Sequence, residues 1–127
     1  MTNVKDAQMK GPPAIRQLQL ALSTATVVSH ANSHFVCTIK DSLAQEFAGI
    51  GDFTHAATLM ESTLPTISTI FGFKSVENAT ERFKLCTLWY AAKNLRKLRE
   101  VGVQTLGLYR ELRMNREEVE ELEWMLK

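Results

Sequence analysis

His30, His34 and Cys37 stand at i, i+4 and i+7, a spacing that on a continuous helix aims all three side chains from one face. Imidazole and thiolate are the ligands that zinc and similar ions take, and His55 could supply a fourth. The remainder of a metal centre is missing. There is no HExxH glutamate to act as a base and no second Cys/His pair of matching spacing, so the trio reads as a polar surface and neither a metal nor a cofactor is expected. Cys37 or Cys86 as a nucleophile would need a base and an oxyanion donor, and Ser, His and Asp occur without a nucleophile elbow. Gly49-Ile50-Gly51 is not a dinucleotide loop, because Thr54 stands where GxGxxG requires its third glycine. The adjacent carboxylates Glu117/Glu118 and Glu120/Glu121 fall on a terminal segment where burial would not tune them. No enzyme is expected.

The elements that would position these residues are helical. Pro12-Pro13 suits a first helical turn, and Ile15, Leu18, Leu22 and Ala25 follow at 3–4 spacing. A second stripe runs through Val36, Ile39, Leu43, Phe47 and Ile50, and residues 29–33 between the stripes are either a break or a polar turn in one long helix. Gly49-Ile50-Gly51-Asp52 is a stop and restart, and Leu64-Pro65 predicts a further boundary. Ser75 is expected to cap a helix running to about Val101, with Gly102 and Gly107 punctuating the next segment. Asn115 and Glu118 have the spacing of a capping box. No strand and no internal repeat of 20–50 residues is visible. These signals predict an all-α protein, a compact bundle of five or six helices in a single domain spanning 12–127, preceded by a flexible arm over 1–11.

The 127 residues carry 15 basic and 14 acidic groups, so no global field draws the chain to nucleic acid or membrane. The charges are segregated instead. Residues 1–81 sum to −2, residues 82–116 to +7 and the last eleven to −4. Projected on one helix, Arg82, Lys93, Arg96 and Lys97 share a face with Trp89, a basic stripe with an embedded aromatic. That stripe could hold phosphates while the indole stacks on a base, or receive an acidic helix. The terminal helix carries Val119, Leu122, Met125 and Leu126 on one side, with Trp124 close by at the end and glutamates on the rest. The stripe suits core packing or, since basic and acidic blocks adjoin, an interface between like subunits with Leu122, Trp124 and Met125 in contact.

The expected function is therefore a non-enzymatic interaction or self-assembly protein that uses the 82–116 basic surface and the acidic terminal helix. Its partner would be itself or an acidic protein, with contacts at Trp89, Arg96, Leu122, Trp124 and Met125. The alternative is DNA or RNA binding through Arg82, Trp89, Lys93, Arg96 and Lys97. Two cysteines without CxxC spacing, a polar N-terminus and no 18-residue apolar window predict a reduced, intracellular chain without a membrane span. Asn78-Ala79-Thr80 is formally a glycosylation sequon.

Overall fold

A computed structural model describes residues 11–28 and 33–127. Six helices occupy them: α1 (Pro12–Val28), α2 (His34–Gly49), α3 (Phe53–Phe71), α4 (Val76–Ala91), α5 (Leu95–Glu111) and α6 (Arg116–Met125). The all-α expectation is met, and no strand occurs among the described residues. Contacts group the chain into two units, the first ending at Thr66 and the second comprising Ile67–Lys127.

In the first unit α1 and α2 run antiparallel, since the Gly11 amide at the start of α1 donates to Glu46 Oε1 at 3.0 Å near the end of α2. Val36, Leu43, Ala44 and Phe47 form the buried face of α2. Ser33, in extended backbone, accepts from the Val36 amide and starts that helix. The polar segment over 29–33 thus ends in a helix start, not in the middle of one long helix.

In the second unit α4 and α5 form an antiparallel hairpin, as the Phe83–Tyr109 and Cys86–Thr105 contacts require. The short α6 packs on both. Its centre is Leu85, Cys86, Leu98, Thr105, Tyr109 and Leu122, each almost without exposure. Asn78 is also fully buried; its amide donates to the Phe73 carbonyl at 2.8 Å and accepts from Ser68 Oγ at 3.1 Å. An asparagine so engaged cannot carry a glycan in the folded chain, which disposes of the sequon.

Helix ends explain where the sequence pattern misled. The expected helix from Ser75 to Val101 is two helices, because Lys93 adopts the left-handed conformation with φ 61°. Its amide donates to the Tyr90 carbonyl at 3.0 Å and the Asn94 amide to the Trp89 carbonyl at 3.0 Å, the paired bonds that close a helix C-terminus. Asn94 then caps α5 by accepting from the Lys97 amide. The same device recurs at Gly51 and Arg113, with φ 85° and 53°, followed by the caps Asp52 and Asn115. Only the glycine announces itself in the sequence, since left-handed backbone normally calls for one. Substituting Lys93→Gly or Arg113→Gly is therefore expected to stabilise by about 0.5–1 kcal/mol each. The gains should add, because the sites flank a helix about 25 Å long; urea unfolding of the two variants and their double checks this.

Three other expected breaks are absent. Pro65 lies inside α3 on its exposed side, and Gly102 and Gly107 lie inside α5. Pro65 has no amide to offer the Glu61 carbonyl, and in the turn before it the Ser62 and Thr63 hydroxyls donate to the Leu59 and Met60 carbonyls. Gly102 is a packing device, because a Cβ there would come 2.7 Å from Leu126 Cδ2. An internal period also exists that the residues conceal. Helices α1, α3 and α5 start at Pro12, Phe53 and Leu95, 41 and 42 residues apart, and α2, α4 and α6 start at His34, Val76 and Arg116, 42 and 40 apart. The repeat is in where the helices start, not in residue identity.

Candidate functional site

The cationic residues after position 81 do not make one stripe. The break at Lys93 puts Arg82 and Trp89 on α4 and Arg96 and Lys97 on α5. Trp89 is 3% exposed and belongs to the core, so its indole cannot stack on a base as the helical projection expected. The projection failed because it carried one helical phase across a chain reversal. Arg82 is half-buried, donating to Gln104 Oε1 at 2.9 Å and lying 4.9 Å from the Phe73 ring centroid. Burial lowers its pKa, and the Cys86 thiol opposes that shift.

The chain's own glutamates occupy several other cations. Lys84 pairs with Glu81, Arg96 with Glu100, Arg110 with Glu123 at 2.6 Å, and Arg116 with Glu120. Lys97 Nζ lies 5.8 Å from the Trp89 ring centroid. Among the described residues, Lys93, Arg99 and Arg113 are exposed and have no ion pair.

Of the three terminal residues expected at an interface, Leu122 and Met125 are buried against the α4–α5 hairpin. Trp124 is 60% exposed. It meets Tyr90 from the last turn of α4, with ring centroids 5.5 Å apart and planes at 59°. Leu95, 56% exposed, shares a notch of about 40 Å³ with Leu98, Arg99 and the terminal residues Met125, Leu126 and Lys127. Tyr90, Leu95 and Trp124 therefore gather at one end of the second unit, around the α4–α5 turn that carries Lys93. Tyr90 and Leu95 carry no sequence signal of their own; once the break at Asn94 is known, both fall at helix ends beside the same turn.

Cations crowd the first turns of α5, where the helix dipole disfavours them: Arg96, Lys97 and Arg99, with no acidic residue in the first turn. Glutamates crowd the first turns of α6, where the dipole favours them, and the Asn115 side chain accepts from the Glu117 and Glu118 amides. The exposed apolar end thus lies between a positive turn and a negative helix.

Of the nucleophile and metal candidates, His34, Cys37 and His55 belong to the first unit and Cys86 to the core of the second. Cys37 is buried and His34 exposed on α2, and His30 lies outside the described residues. Helix α2, which carries His34 and Cys37, starts at His34 behind its cap Ser33. His55 stacks on Phe47 with centroids 3.9 Å apart, and its Nδ1 lies 3.5 Å from Asp52. No cluster of three or more metal-ligating side chains occurs among the described residues.

Cys86 is fully buried, and its thiol is pushed up to about 11 by that burial, with Thr105 and Arg82 pulling the other way. It is an inert core group, not a nucleophile. The folded state holds this proton more tightly than the unfolded chain, whose thiol has its ordinary value of 9.0. Its contribution to stability is complete below pH 9 and is lost as pH rises toward 11, about 3 kcal/mol in all. Urea unfolding across that range should show the loss, with a shallower slope in Cys86→Ala.

No family model matches the sequence, and no curated protein matches it. Its fold does resemble that of a solved structure. The crystal structure of BtubC (BKLC) from P. vanneervenii superposes on 89% of this chain with a TM-score of 0.73 and 22% identity. This chain spans 46% of the length of that BtubC chain, and the likeness is one of fold. Among the described residues, no helix is long and apolar enough to cross a membrane.

Proposed function

We propose that this chain is a non-enzymatic protein-interaction module that docks through the Tyr90–Leu95–Trp124 end of its second unit. The carrying observation is the tilted pair of Tyr90 and Trp124, which stay 39% and 60% exposed while touching each other. Tyr and Trp are the residues that concentrate binding energy at protein interfaces, because they bring large rigid area with little entropy to lose. The regular spacing of helix starts supports the reading, since helical-hairpin repeats are scaffolds that present surfaces to other proteins. Nucleic acid is favoured less, because Trp89 is buried and Arg82 and Arg96 already have partners within the chain.

A photo-crosslinking residue placed at 124, in extract of the source cells, is expected to form adducts with polypeptide. The same residue at the exposed position 77 of α4 should form few. Equal labelling from both positions, or adducts with nucleic acid, would overturn the proposal.

A further inference from the structure

We infer that the partner at this end is a second copy of this chain, paired about a two-fold axis through the Tyr90–Trp124 surface. The inference rests on the proposed function and specifies its partner. An isologous interface must be self-complementary, because one patch meets itself in reverse.

This patch meets that condition. The exposed aromatic pair lies at its centre. On one side is the α4–α5 turn with Lys93 and, in the first turns of α5, Arg99; both are exposed and without an ion pair among the described residues. On the other side are Glu121 and Glu117, three and seven residues before Trp124 and so on its face of α6. Both are likewise exposed and lack an ion pair among the described residues. A two-fold rotation about the aromatic centre brings the cations of one copy onto the glutamates of the other, twice per interface. A partner that was merely acidic would answer the cations and be repelled by Glu117 and Glu121. A second copy answers both.

The test is light scattering of the full chain over a range of concentrations, supplemented by charge reversal. The mass should rise from the 14.3 kDa of one chain toward that of two. Trp124→Ala should weaken association about 30-fold, the size of a central aromatic hot spot. Lys93→Glu alone places two acidic pairs across the interface, and Glu121→Lys alone places two basic pairs, so each variant by itself should associate about 10-fold more weakly. Mixed in equal amounts, the two variants should recover association. In the mixed pair both positions of one copy are acidic and both positions of the other are basic, so opposite charges meet at each of the two contacts across the axis.

Mass fixed at one chain across all concentrations overturns the inference, as does association indifferent to Trp124→Ala and to mixing. If the chain stays single while position 124 still crosslinks to another polypeptide, the inference fails and the proposed function stands. Loss of both results removes both.

Discussion

Replacing Tyr109 by alanine is expected to cost about 4 kcal/mol, whereas phenylalanine at the same position should leave stability unchanged or raise it by up to about 1 kcal/mol. Tyr109 is the largest fully buried side chain among the described residues. Its ring packs 5.7 Å from that of Phe83, so alanine would open a cavity where α4, α5 and α6 meet. The hydroxyl contributes nothing comparable. It is buried, and although Thr80 and Glu118 lie close enough to influence its ionisation, neither forms a hydrogen bond of acceptable geometry with it. Burial first, and then the Glu118 carboxylate, drive the phenol well above its ordinary value of 10.0. Tyr109→Phe removes the desolvated oxygen and keeps the ring. The comparison also has a pH signature: the folded state holds the phenolic proton more tightly, so wild-type stability falls above pH 10, and Tyr109→Phe should flatten that fall. Equal losses in the alanine and phenylalanine variants would show that the hydroxyl is bonded after all.

The helices were legible wherever apolar spacing and caps agreed. Ser75 and Asn115 cap the helices their positions announce, Asp52 restarts the chain after Gly51, and Pro12 opens α1. The break at Lys93 was hidden because a helix can end on a lysine in left-handed backbone if its two closing hydrogen bonds form. That single event redirected the functional reading. It turned one imagined basic stripe into two helices, put Trp89 into the core and left Lys93 at the turn beside Tyr90 and Leu95. Charge segregation was legible as a sum, yet a sum does not show that Arg110 and Arg116 are paired with Glu123 and Glu120. The exposure of Trp124 was not legible, because spacing along the helix cannot tell which of Leu122, Trp124 and Met125 the hairpin buries. The period of about 41 residues is hidden in the sequence because equivalent turns carry different residues: glycine at 51 but lysine at 93, and glycine at 72 but arginine at 113.

Leu122→Ala is expected to cost about 3 kcal/mol and, unlike Tyr109→Ala, to release α6 before the rest of the second unit unfolds. A ten-residue helix has no stability of its own in water. What holds α6 is Leu122, fully buried, together with Met125 and the seat that Gly102 leaves for Leu126. The Arg110–Glu123 pair is exposed and adds little. Once Leu122 is truncated, the remaining contacts no longer offset the entropy of ordering the segment. Hydrogen exchange should then find the α6 amides unprotected while those of Leu85 and Leu98 in the hairpin remain slow. Because Trp124 meets Tyr90 only when α6 is docked, the proposed self-association should weaken in the same variant, although Leu122 itself is buried beneath that surface. Protected α6 amides together with weakened association would contradict that chain of cause, since loss of the aromatic pair would then have another origin.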